Sequence, residues 1–344
     1  MSPTPPRLTF PCELPPEKLD RLFAGDEVIA SLGRMGARVS LALIDLSDER
    51  AAVARRLGDG GVGVVAWLLL PSEEGYFFNL DNPAAAAARY DDFVSWTGKH
   101  GLSWDGVSLD IEPSIEDMRR LFEPGERGAA LRNMLWRALD RRRLDQGTAA
   151  YAGLVARMRA DGYRVESALF PFIIDDRRAR STLIHRVLGA PTVRVDREVF
   201  MLYTSFQGAL GPATLSSYGA DAEAIAVGST GGGAQDLPSA ALARTLSWEE
   251  LARDLRLARR HTDDIWIYSL EGCVAQGMLD RLETFDWAIR EPAPTLSVKI
   301  VDSVRALLRG ILFAAAHPYA TAAVLGAAVA LGTRRAGTKP SSHS

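Results

Sequence analysis

Trp104-Asp105-Gly106-Val107-Ser108-Leu109-Asp110-Ile111-Glu112-Pro113 is the stretch on which the reading of this chain turns. Read as a strand, it sends successive side chains to opposite faces. Val107, Leu109 and Ile111 then share a face suited to covering helices, while Gly106, Ser108, Asp110 and Glu112 share the other. Two carboxylates thus stand one pleat apart, just before a proline that stops the strand. Taking two acids out of water costs on the order of several kcal/mol unless they are paired or used. Asp110 and Glu112 are therefore the candidate catalytic pair.

Outward from this run, short apolar segments alternate with longer amphipathic ones, the pattern of β/α units. Strands are predicted at 7–13, 37–45, 62–70, 106–112, 163–171, 198–204, 223–228 and 264–270. Helices are predicted at 16–34, 48–58, 83–100, 126–160, 176–188, 211–219, 247–261 and 275–290. Eight such units within about 290 residues predict an α/β chain folded as a (β/α)8 TIM barrel. The carboxylate strand is the fourth, with its acids at the carboxyl end, where barrels of this kind place their chemistry. A doubly wound open sheet fits less well, because no Gly-x-Gly-x-x-Gly loop follows the first strand. Gly231-Gly232-Gly233 lacks a Lys-Ser/Thr pair and reads as a loop rather than a phosphate cradle.

Composition narrows the classes of function. With 344 residues, 47% of them hydrophobic, the chain can bury a large core. A formal net charge of -3 gives no reason to expect a nucleic-acid partner. The two cysteines, Cys12 and Cys273, are too far apart in sequence to suggest a disulfide framework or a zinc pattern. His100, His185, His261, His317 and His343 show no metal-ligand spacing. No metal site and no cofactor is expected.

Asp105-Gly106-Val107-Ser108-Leu109-Asp110-Ile111-Glu112 resembles the fourth-strand signature of glycoside hydrolase family 18, the chitinase-like barrels. That signature runs Asp-Gly-x-Asp-x-Asp-x-Glu, and Asp105, Gly106, Asp110 and Glu112 fall on its positions. Ser108 stands where the family usually carries its middle aspartate. Met201-Leu202-Tyr203, ending the sixth predicted strand, is similar to the family's Met-x-Tyr. The third-strand Ser-x-Gly-Gly is absent from 62–80. The resemblance covers the topology and about a dozen residues, and points to a distant relative.

It implies a hydrolase acting on a glycan or glycoconjugate. Glu112 would protonate the glycosidic oxygen, which requires a raised pKa. Asp110 would supply the neighbouring charge and orient the substrate's own 2-acetamido group, and Tyr203 would hydrogen-bond to that group. Ser108 can hydrogen-bond to Asp110 but cannot hold a charge. Asp105 and Ser108 are carried over as substrate-binding positions.

Four further residues are candidate sugar contacts. Tyr76 belongs to the acid- and aromatic-rich loop 72–79 after the third strand, and Asp175 ends the fifth unit's strand. Trp266 shares one face of the eighth strand with Tyr268, and Glu271 follows that strand. Ile111-Glu112-Pro113 also looks somewhat like the Asn-Glu-Pro acid/base of retaining barrel glycosidases, in which case Glu271 would be a nucleophile about 5 Å away. Two other readings remain open: a barrel that binds glycans without turnover, and a divalent-metal barrel enzyme using Asp110 and Glu112 as ligands.

Beyond Pro292 and Pro294 the pattern changes. Residues 1–292 are assigned to the barrel, 293–333 to an apolar helical tail and 334–344 to a polar, disordered end. From Gly310 to Gly332 there is no Asp, Glu, Lys or Arg. As a helix this stretch would span roughly 34 Å, enough to cross a bilayer, although His317-Pro318 interrupts it. It is the candidate membrane anchor, the alternative being an apolar helical hairpin packed against the body or a partner in a soluble cytoplasmic protein. With no secretory signal at the amino end, such a tail would leave the barrel on the cytoplasmic side.

Overall fold

In a computed structural model of the protein, described for residues 4–123, 125–232 and 244–323, eight parallel strands close into a barrel in sequence order. They are β1 (Arg7–Cys12), β2 (Arg38–Leu43), β3 (Gly63–Leu68), β4 (Gly106–Asp110), β5 (Val165–Leu169), β6 (Arg197–Met201), β7 (Ala224–Gly228) and β8 (Asp264–Tyr268). β1 pairs with both β2 and β8, which closes the cylinder. Each strand lies inside its predicted segment to within a residue.

The helices wrap the outside. In the first half they are α1 (Pro16–Leu22), α2 (Glu27–Met35), α3 (Asp48–Asp59), α4 (Pro83–His100), α5 (Ile115–Phe122), α6 (Arg127–Arg137) and α7 (Arg141–Ala160). The second half adds α8 (Phe172–Arg178), α9 (Leu183–Leu188), α10 (Gly211–Gly219), α11 (Trp248–Ala258), α12 (Leu270–Ala275), α13 (Leu279–Glu283) and α14 (Thr295–Ala316). The predicted helix 16–34 breaks around Gly25, and 126–160 breaks where Asp140 accepts a hydrogen bond from the Arg143 amide and starts α7. The predicted 275–290 begins earlier, at Leu270, because the Ser269 side chain caps α12.

Strand alternation separates two cores. Outward residues such as Phe10, Leu41, Leu109, Ile225 and Ile267 are fully buried beneath the helices. Burying each such side chain is worth about 1.5–3 kcal/mol. Inward residues form layers along the lumen. At the amino end, Arg38 donates to Thr9 Oγ1 at 3.1 Å and to Glu166 at 3.3 Å, and Asp264 is paired with Arg7 and, at 3.5 Å, with Arg197. These ion pairs close the floor. Val199, Ala224, Ala226 and Trp266 pack above it, and the carboxyl end opens into a cavity.

The C-terminal expectation needs correction. The stretch beginning at Gly310 is not a separate apolar span but the end of α14, which also carries Lys299, Asp302, Arg305 and Arg309. Arg305 is buried, pairs with Asp175 and Asp221, and donates to the Ser217 carbonyl at 2.6 Å, fastening α14 across α10 and α8. The helix stops at Ala316, before His317-Pro318, and the chain is helical again from 318 to 323. Among the described residues no helix is long and apolar enough to cross a membrane. The remainder of the proposed anchor, 324–332, and the expected disordered end, 334–344, lie outside the described residues, as does Gly233 of the glycine run.

Candidate active site

The backbone around the motif keeps both acids on the inner face. Beyond Asp110 the chain stays extended: the Phe78 amide donates to the Asp110 carbonyl at 2.9 Å and the Ile111 amide to Ala168 at 3.3 Å. Ile111 therefore turns out under the helices, and Glu112 turns inward above Asp110. The cavity at this end holds about 320 Å³ and is lined by Asp110 and Glu112 with Ser108 below them. Trp67, Tyr203, Trp266 and Tyr268 form its aromatic walls. Tyr203 and Tyr268 lie with ring centroids 5.7 Å apart.

The electrostatics are those of a carboxylate pair without a counter-ion. Neither Asp110 nor Glu112 forms an ion pair among the described residues. Burial, the charge of Glu112 and the charge of Glu13 push the Asp110 carboxyl well above the ordinary aspartate range. Burial and then the charge of Glu13 push Glu112 up to about 7, against a small lowering from its hydrogen bond with Asp110. Two acids in such contact titrate as a unit, with one proton shared between them near neutrality. Burial, and after it the charges of Asp110 and Glu112, also raise the Tyr203 phenol well above its usual range, so it remains a donor.

Four buried polar atoms on this cavity have no hydrogen-bond partner among the described residues: Ser40 Oγ, Asp110 Oδ1, Gln207 Oε1 and Trp266 Nε1. Each costs about 1–3 kcal/mol if left unsatisfied. A donor and three acceptor-capable oxygens around an aromatic-walled space can pair with hydroxyl groups, and the rings can stack against C–H faces.

The other expected residues are divided by the structure. Trp266 and Ser108 face the cavity as the alternation implied. Asp105 does not: it is exposed at the amino end of β4, beside Gly63, about 16 Å down the strand from Asp110 at strand spacing. Its alternation from Gly106 and its position before the strand place it at the wrong end of the barrel. Asp175 is also displaced. It lies in α8 with Oδ2 accepting from the Tyr218 hydroxyl at 2.6 Å, and Arg305 and Arg309 neutralise it from α14. Glu271 lines a separate cavity of about 790 Å³ and accepts from the Glu13 amide at 3.4 Å, so it does not face Glu112 across the smaller cavity. Tyr76 borders that larger cavity too, with its ring folded against the protein. Among the described residues no group of three or more His, Cys, Asp or Glu side chains is arranged to hold a metal ion.

Glu13 was missed. It sits just past β1, borders both cavities, and receives the hydroxyls of Tyr76 at 2.5 Å and Tyr268 at 2.6 Å. The signal was present: in the predicted strand 7–13, Glu13 shares the face of Thr9 and Pro11, as Asp110 shares that of Ser108.

No family model matches the chain, and no curated protein does. Among solved structures it is similar to the PgaB (BpsB) glycoside hydrolase domain from Bordetella bronchiseptica, at 14% identity over 82% of this chain and 99% of that one, with a TM-score of 0.47. It is also similar to a GH18 chitinase from Pseudoalteromonas aurantia, at 10% identity over 81% and 99% of the two chains, with a TM-score of 0.45. An L-ribulose 3-epimerase gives 14% identity over 92% and 98%, with a TM-score of 0.40.

Proposed function

We propose that the protein is a carbohydrate-acting hydrolase in which Glu112 is the general acid and Asp110 its anionic helper. The observation that carries this is a buried carboxylate pair, without a cation among the described residues, opening on a cavity lined by aromatic rings and further buried polar atoms. In the resting protein the coupled pair holds one proton between its two carboxyls. A glycosidic oxygen arriving beside Glu112 offers that proton an acceptor. As the bond from anomeric carbon to oxygen breaks, the proton passes from Glu112 to the leaving oxygen and Asp110 faces the developing positive charge.

The resemblance of the β4 motif adds a route for substrates with a 2-acetamido group. The acetamido oxygen attacks the anomeric carbon, Asp110 orients the group and Tyr203 donates to it; water then displaces the acetamido oxygen and returns a proton to Glu112. Tyr203 is well placed for this, since it lines the same cavity and stays protonated.

The test is turnover of chromogenic aryl glycosides, with and without a 2-acetamido group, by wild type, Glu112→Gln and Asp110→Asn. The proposal expects losses of at least about 100-fold in kcat for both variants, the range of acid catalysis. Sugar binding by wild type with no turnover of any glycoside would leave a binding barrel instead.

A further inference from the structure

We propose that Glu13 is the third carboxylate of the site, a positioning residue that two phenols hold as an anion so that the Asp110–Glu112 pair keeps its shared proton. The inference rests on the site reading above, and it starts from hydrogen bonds. Tyr76 gives its hydroxyl to one oxygen of Glu13 and Tyr268 gives its own to the other, at 2.5 and 2.6 Å. Hydroxyl donors on both oxygens favour the ionised form of the carboxyl. The arrangement is that of a carboxylate. Both phenols are themselves held protonated, chiefly by burial and then by the charge of Glu13, so the grip persists at alkaline pH.

The protein accepts strain to build this grip. Tyr76 has φ 63°, the left-handed region that a bulky residue avoids at a cost of about 1–2 kcal/mol. Its backbone is fixed there by the Leu70 amide donating to its carbonyl at 2.9 Å. The strained turn brings a phenol from the loop after β3 onto a carboxylate at the end of β1.

Glu13 also borders the cavity that holds Asp110 and Glu112, in which Asp110 Oδ1 has no hydrogen-bond partner among the described residues. The charged and titratable groups around Glu13 come from several elements. Asp110 at the end of β4 and Glu112 just past it line the same cavity, as do Tyr203 just past β6 and Tyr268 at the end of β8, and Tyr76 reaches Glu13 from the loop after β3. Glu271 of α12 accepts its amide, Cys12 precedes it, and Arg50 of α3 lies behind, donating to the Leu14 carbonyl at 3.0 Å. Arg50 also pairs with Asp45, so its charge is shared. A fixed negative charge on Glu13 resists full ionisation of the β4 pair. The β4 motif carries Ser108, which cannot hold a charge, and β1 supplies the missing one from another strand.

The experiment follows the Glu112 carboxyl by carbon NMR titration in folded protein labelled at glutamate side chains, with Glu112→Gln identifying the signal. Removing the charge with Glu13→Gln should lower the Glu112 midpoint by about one pH unit, the scale of one close charge interaction. If that variant does not fold, Tyr76→Phe, which loosens the grip on one oxygen of Glu13, should lower it by a smaller amount. A Glu112 midpoint unmoved in the folded variant overturns the proposal. The titration needs no turnover, so it stands apart from the hydrolase reading. Where activity is present, the alkaline limb of the kcat/KM profile should move to lower pH with the NMR midpoint.

Discussion

Glu112→Gln should make the protein more stable at alkaline pH while removing the proposed general acid. In the unfolded chain the Glu112 carboxyl titrates at its ordinary 4.5, and in the folded protein at about 7. The folded state thus binds the proton more tightly, and the sign of the linkage follows. Stability is full below pH 4.5 and is lost as pH rises towards 7, at about 1.36 kcal/mol per pH unit. Over that interval the loss reaches about 3 kcal/mol, an upper figure because Glu112 keeps some contact with solvent. Asp110, raised for the same reasons, adds in the same direction. Glutamine matches the protonated form in size and charge. Unfolding free energies from urea titration of wild type and variant should therefore nearly coincide at pH 4 and separate by up to about 3 kcal/mol at pH 8, with equal m-values. A gap that is the same at both pH values would show that Glu112 is not desolvated as described, and the reasoning for a poised acid would go with it.

Arg305→Ala should cost about 3–5 kcal/mol in urea unfolding, because it leaves Asp175 buried against α14 with its main counter-ion gone. Arg309→Ala, half-exposed and 3.5 Å from the same acid, should cost under about 1 kcal/mol. Trp266→Phe removes a buried N–H that has no partner among the described residues, so any stability the unliganded protein loses should come from the smaller ring and not from a broken hydrogen bond. Calorimetric affinity for a bound sugar should fall by about 1 kcal/mol, roughly fivefold, if that N–H serves the ligand. Equal affinity in the two proteins would remove Trp266 Nε1 from the site.

The barrel was legible because period-2 alternation and β/α spacing are local properties. Val107, Leu109 and Ile111 against Ser108, Asp110 and Glu112 needed no tertiary information. Glu13 obeyed the same alternation but stands as a single acid after Pro11-Cys12, and nothing nearby in sequence announces the two phenols, which arrive from the loop after β3 and from β8. Asp175 was misplaced because α8 begins at Phe172, sooner than the pattern suggests, and the switch from strand to helix rotates the acid out of the barrel. The membrane reading of the tail finds no support among the described residues for a related reason. Counting uncharged residues from Gly310 ignores Arg305 one turn earlier, whose charge is met by acids distant in sequence.

The lumen itself supplies the comparison that gives the upper pair its meaning. Glu166 is fully buried on the inner face of β5, in register with Ser108, one inward step below Asp110. Strand geometry separates those levels by about 7 Å. At the lower level the fold neutralises its acid, bringing Arg38 across from β2 onto Glu166. At the upper level it surrounds two acids with phenols, indoles and a third carboxylate, and gives the β4 pair no cation among the described residues. A carboxylate kept for stability is treated like Glu166. Maintaining Asp110 and Glu112 uncompensated costs folding energy at neutral pH, and the proposed use of the shared proton on a ligand entering the cavity gives that cost a reason.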